Sequence, residues 1–327
     1  MTRQYCAWRR GMITFAALVL SSVAVLAADV PTVNWTKLSP ANSPTARGYT
    51  AMAYDAVSRQ IVLFGGYDGS KYLNDTWTFD GTTWTKVNTP TAPPPRSNMG
   101  MAFDRVSRQV VIFGGFNGTQ HLGDTWTFDG STMTWTQQHP TISPKGASGP
   151  MLFTDPVSGR VDEYGGFDGQ FFQLNTFRWT GTDWKRVRTS NSATARGNAV
   201  AATDGKTKTT VLFDGIGDVN PYNTWTFDGS NWTEQTPAQQ PPSRYGSPGA
   251  FDPRLGAVIV FGGGEGGPEL NDTWAWTGTA WKQLSPAQSP PGREGYGMAY
   301  DPAIGHIVIF GGQGLSTLLA DTWELTQ

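Results

Sequence analysis

One phrase recurs through this chain and fixes what it can fold into. Between Gln60 and Trp84 an apolar run, a Gly-Gly break and a polar loop lead to Asp-Thr-Trp, a tight turn and a closing tryptophan. The closing residues are Trp35, Trp84, Trp135, Trp184, Trp232 and Trp281, spaced by 49, 51, 49, 48 and 49. A period near fifty built of short β segments belongs to a radial propeller rather than a helical solenoid. Other landmarks keep the same step. An arginine follows twelve residues after most closing tryptophans (Arg47, Arg96, Arg196, Arg244, Arg293, with Ala147 in the third unit), and an aspartate (Asp55, Asp104, Asp155, Asp204, Asp252, Asp301) stands eight further on. Length changes fall after the Gly pair, where loops absorb what strand registers cannot.

Each unit divides into four strands. In the first, Gly48 to Tyr54 reads as strand a, Gln60 to Phe64 as b, Asp75 to Phe79 as c and Thr83 to Val87 as d. Asp-Gly between c and d is a hairpin signal. Strand b is apolar at consecutive positions, as in IVLF and VVIF, so both of its faces are covered. The tryptophans of Asp-Thr-Trp are expected to fill the space between blades, each needing a partner for its indole N–H. An orphan strand d, Val33 to Leu38, precedes the first unit, and the last unit stops after strand c at Leu325. The orphan is expected to complete the sixth blade, pairing two edges that would otherwise invite aggregation. The expected fold is therefore all-β: a six-bladed propeller over residues 28–327 with its termini adjacent.

Residues 1–27 read differently. Arg3, Arg9 and Arg10 precede an uncharged apolar run that ends in Val25-Leu26-Ala27, the pattern of a cleaved signal peptide. Cleavage before Ala28 removes the single cysteine, Cys6, and three arginines, moving the formal net charge from −2 to −5. A thiol-free, mildly acidic chain is expected to be secreted or periplasmic, to bind neither nucleic acid nor membrane, and to be a monomer.

The GG…DTW…W phrases resemble the kelch repeat of the galactose oxidase central-domain superfamily. In such propellers the d–a and b–c loops share one rim around the channel mouth. The resemblance implies a binding module or an enzyme without choosing between them. Features present in every blade are read as scaffold, and those present in one blade as candidates for function. The arginines Arg47, Arg96, Arg196, Arg244 and Arg293 admit two readings: structural bonds to nearby carbonyls and to the Asp of Asp-Thr-Trp, or a cationic ring at the channel mouth. The blade-specific candidates are Tyr72, His121, Phe171, Phe172, Tyr222, Tyr245 and Glu294, with Glu265 and Tyr296 beside them. Blade three carries Asp162 and Glu163 inside a strand covered on both faces, with Arg178 and Arg160 as counter-ions, and Asp214 replaces a glycine in blade four. No cofactor is expected. His121, His139 and His306 lie in different contexts, and without Cys the copper site of galactose oxidase cannot form. The leading expectation is a non-catalytic module binding a protein segment or glycan, possibly anionic. The alternative is an enzyme like the periplasmic sialic-acid mutarotases, using the arginines with Glu294 or Glu163.

Overall fold

The computed structural model describes residues 32–219 and 221–327; the expected signal peptide lies outside the described residues. Among them there are twenty-four strands and no helix. Asn34–Leu38 is β1. Blade one holds β2 (Ala51–Asp55), β3 (Gln60–Tyr67), β4 (Tyr72–Phe79) and β5 (Trp84–Val87). Blade two holds β6 (Gly100–Asp104), β7 (Gln109–Phe113), β8 (Thr125–Asp129) and β9 (Thr134–Gln138). Blade three is β10 (Met151–Thr154), β11 (Val161–Tyr164), β12 (Thr176–Trp179) and β13 (Trp184–Val187), and blade four is β14 (Val200–Asp204), β15 (Thr209–Phe213), β16 (Thr224–Phe227) and β17 (Trp232–Gln235). Blade five is β18 (Gly249–Asp252), β19 (Ala257–Gly263), β20 (Leu270–Trp276) and β21 (Trp281–Leu284), and blade six has β22 (Gly297–Asp301), β23 (His306–Phe310) and β24 (Thr322–Thr326). Every blade is a four-stranded antiparallel meander, and β1 supplies the outer strand of the sixth, with Trp35 opposite Leu325.

The first strands of neighbouring blades pack against one another around the axis. They start later than the sequence suggested, because residues such as Gly48 and Tyr49 leave the sheet. Tyr49, Asn98, Gly149, Asn198, Gly246 and Gly295 occupy one equivalent position and all have φ between 54° and 65°. Each donates its N–H to the carbonyl of its counterpart in the preceding blade: Asn98 to Tyr49 at 2.8 Å, Gly149 to Asn98 at 2.7 Å, and so around to Tyr49, which donates to Gly295 at 2.5 Å. Six amides thus form a closed circle across one end of the channel. Below it, Met52, Met99, Met101, Met151 and Met298 fill the axis, leaving a cavity of about 150 Å3.

A second circle joins the blades further out. Every closing tryptophan donates its indole N–H to the first threonine of strand c in the preceding blade, as Trp84 does to Thr322 and Trp135 to Thr76. Trp35 of β1 does the same to Thr273, at 3.0 Å, and packs on Phe261. β1 therefore contributes a sheet edge and an inter-blade contact at once. Trp126, Trp225 and Trp274 also lie in the inter-blade clusters, and the closing tryptophans are the more deeply buried series.

Candidate functional site at the loop rim

The arginines do not ring the channel mouth. All five are completely buried. Arg96 shows the pattern: its Nη1 and Nη2 bond both carboxylate oxygens of Asp124 at 2.6 and 2.7 Å, Nη1 also reaches the Gly114 carbonyl, and Nε reaches that of Pro94. Arg47, Arg244 and Arg293 repeat this with Asp75, Asp272 and Asp321. Arg196 bonds Asn223 instead, and burial without a bonded carboxylate lowers its pKa to about 10. Blade three has lost both halves, with Ala147 and Asn175 standing where the pair would be. A completely buried guanidinium whose fork is spent on a carboxylate and on carbonyls inside the fold is out of a ligand's reach. The ligand-facing reading of Arg47, Arg96, Arg196, Arg244 and Arg293 is thus corrected to a structural one.

The other anomalies resolve in the same direction. Asp162 forms a bidentate pair with Arg178 at 2.7 Å, yet burial outweighs that pair and raises its pKa to about 6. Its neighbour Glu163 points to the opposite face of β11, opposite Leu152 and Phe177, where burial lifts it well above the ordinary carboxylate range. Alternation along the strand separates the two carboxyls, so they form no acid/base pair. Arg160 lies near Asp104 instead. Asp214 adopts the left-handed conformation of the glycine it replaces (φ 53°), and its carboxylate accepts the Arg244 backbone N–H. Tyr296 is buried with its hydroxyl on the Phe261 carbonyl, and Tyr222 packs on Phe213 with its hydroxyl on the Pro241 carbonyl.

The remaining candidates gather at the rim. The residue after each Gly pair bridges to the residue after each arginine: Gly48 to Tyr67, Ser97 to Phe116, Ser148 to Phe167, Gly197 to Ile216, Tyr245 to Gly264, Glu294 to Gln313. In blades one to five one member is large and the other small, which leaves room for the larger ring. Blades one to three place theirs on the b–c side, and the loop hairpins add Tyr72, His121 and Phe172. The result is one continuous arc, Tyr67–Tyr72–Phe116–His121–Phe167–Phe172, with successive ring centroids 5.0–5.9 Å apart. Phe171 stands at its end, 54% exposed, and a cavity of about 310 Å3 opens between the arc and Tyr49.

Tyr49 links the arc to the far side of the mouth. Its hydroxyl donates to Glu294 Oε1 at 2.5 Å, while Glu294 Oε2 is buried without a hydrogen-bond partner. A Cβ added to Gly264 would touch both Glu294 Oε2 and the Tyr245 ring, so the glycine admits that pair. Burial raises the Glu294 pKa, the Tyr49 hydroxyl opposes the rise, and nearby Glu269 adds to it. Tyr49 is missing from the sequence candidates, as are Tyr67, Phe116 and Phe167 of the arc. A tyrosine in the left-handed region costs about 1–2 kcal/mol, and three counterparts are glycine. The circle keeps that strained side chain at the mouth, as functional sites commonly do.

Charge on this face is negative. The loops carry Asp68, Asp218, Glu265, Glu269 and Glu294 against exposed Lys71 and a Lys145 paired to Asp168 at 2.5 Å. Among the described residues no group of acidic, His or Cys side chains could hold a metal ion.

A family model described as the KLHDC2/KLHL20/DRC7 Kelch-repeats domain matches residues 17–215. No curated protein matches the chain. With more than half of its length matched and six four-stranded kelch blades, the chain belongs to the kelch-repeat family.

Proposed function

We propose that this propeller is an exported, non-catalytic module whose d–a/b–c rim docks a protein segment bearing apolar side chains and a basic or hydrogen-bond-donating group. The aromatic arc of blades one to three carries the reading. It sets a half-buried apolar band beside the Glu294 carboxyl, the mix of apolar surface and few polar groups that suits recognition. Two of the five ring contacts are edge to face and three are tilted, at interplanar angles of 42–85°, so the rings form no common flat platform of the kind on which a sugar stacks. That favours a peptide over a glycan. With the arginines internal, Lys71 and the Asp168-paired Lys145 face five carboxylates on this rim, so its charge disfavours an acidic partner. The mutarotase reading loses its arginines and Glu163, which are enclosed, and keeps only Glu294 at the mouth.

Selection of a displayed peptide library against the purified protein tests this. Enriched peptides are expected to carry Lys or Arg next to apolar residues and to lose about tenfold or more in affinity on Tyr72→Ala, the size of an interface hot spot. Peptides enriched in Asp and Glu, or bound equally by that variant, refute it. Export rests on the charge and apolar pattern of residues 1–27; an intact mass that begins at Ala28 supports it and one that includes residues 1–27 refutes it.

A further inference from the structure

The opposite end of the axis carries a second, differently built hollow. The residue of strand a that precedes the turn aspartate is Tyr54, Phe103, Thr154, Thr203, Phe251 and Tyr300 in the six blades. Blades one, two, five and six thus contribute aromatic rings, while three and four contribute threonines. Thr154 and Thr203 hydroxyls bond the carbonyls of Phe103 and Thr154, tying that side down. These residues surround two lobes, of about 570 and 390 Å3, that share Arg105, Thr154, Gly249, Ala250 and Tyr300. The floor is of small residues and methionine: Ala53, Ala102, Ala250, Ala299, Met52 and Met298.

Charge here is the reverse of that at the rim. Arg105 and Arg108 line the larger lobe, Arg105 and Lys208 the smaller, and all three are exposed. Among the described residues no acidic side chain lines either lobe. The turn aspartates are buried, engaged with their own turns: Asp104 accepts the N–H groups of Val106 and Ser107, and Asp204 those of Lys206 and Thr207. Methionines and the circle of amides separate this hollow from the rim.

We propose that this hollow is a second binding site, for a small organic anion that joins one flat ring to a phosphate or carboxylate. The ring lies against Tyr54, Phe103 and Tyr300 of the larger lobe, above the alanine floor, with Phe251 lining the smaller lobe beside it. The anion meets Arg105, which belongs to both lobes, together with Arg108 or Lys208. The volume matches a ligand of that class, and guanidinium groups suit planar oxyanions.

Isothermal titration of the full protein tests it with 4-nitrophenyl phosphate, 4-nitrobenzoate, inorganic phosphate and the neutral 4-nitrobenzyl alcohol. One or both ring-bearing anions are expected to bind saturably, about tenfold or more tighter than inorganic phosphate and the alcohol. Which of the two wins separates phosphate from carboxylate. Arg105→Ala and Lys208→Ala, both exposed turn substitutions, are expected to weaken binding about tenfold and to flatten its salt dependence. Phe171→Ser at the opposite rim leaves it unchanged. No saturable heat with either aromatic anion up to about 10 mM, or binding indifferent to Arg105→Ala and Lys208→Ala, overturns the assignment.

Discussion

Asp124→Asn isolates the force that the arginine repeat contributes. In the native blade the Asp124 carboxylate takes two bonds from Arg96 and a third, at 2.7 Å, from the Trp126 indole. Asparagine keeps the shape and one carbonyl oxygen but loses the charge and one charge-assisted bond. Arg96 is then left fully buried and unpaired. Removing one partner of a buried pair costs about 3–5 kcal/mol. Asp124 is 21% exposed at its side chain, so water can partly replace it, and the lower end, about 3 kcal/mol, applies. Arg96→Ala removes the buried cation instead and leaves a carboxylate that water reaches, at about 2 kcal/mol. The double variant recreates the Ala147/Asn175 arrangement of blade three. Its cost is therefore expected to fall short of the sum by about 2 kcal/mol, within the range seen for contacting pairs. Urea and thermal unfolding read the cycle, with Asp124→Asn lowering Tm by about 5–10 °C. A single variant within about 0.5 kcal/mol of wild type, or strict additivity, would refute the claim that the arginines act through their aspartates.

Glu163→Gln tests the carboxyl buried opposite Leu152 and Phe177. Its folded pKa lies above its unfolded one, so its contribution is complete below the unfolded value and disappears as pH rises through the folded one. The variant is expected to match wild type at about pH 4 or below, beneath the value of the unfolded carboxyl, and to melt progressively higher than wild type as pH rises; a gap that narrows with rising pH contradicts this. Deleting β1 removes both the outer strand of blade six and the Trp35 contacts, and should unfold or oligomerise the protein, as analytical ultracentrifugation would show. An unchanged, monomeric melt counts against the closure. Tyr49→Phe removes the one hydroxyl that opposes the rise in the Glu294 pKa, so an NMR titration of that carboxyl should shift upward. No movement means the bond is not formed in solution.

Blade number and closure were legible because they rest on period and on a leftover strand, which one sequence contains in full. The rim was legible only in part. Treating recurrence as scaffold correctly discounted the glycine pairs, but it also hid Tyr67, Phe116 and Phe167, whose position recurs while its chemistry changes from blade to blade. It missed Tyr49 and the rings of Tyr54, Phe103, Phe251 and Tyr300 for the same reason. Arginine burial was not visible in spacing, since a cation near a loop looks the same whether it turns inward or outward. One clue was present all the same: Ala147 and Asn175 depart from the repeat together, as members of a bonded pair would.

The circle of amides has no first or last member. Each link joins residues that sequence separates by about one repeat, except the link from Tyr49 to Gly295, which spans nearly the whole domain. Mechanically, though, that longest link is no different from the rest, so the covalent break between the termini leaves no weak seam at the hub. A chain cut at any other outer loop and rejoined end to end would inherit the same hub, and rotating the order of the blades should change how the molecule assembles far more than what it becomes.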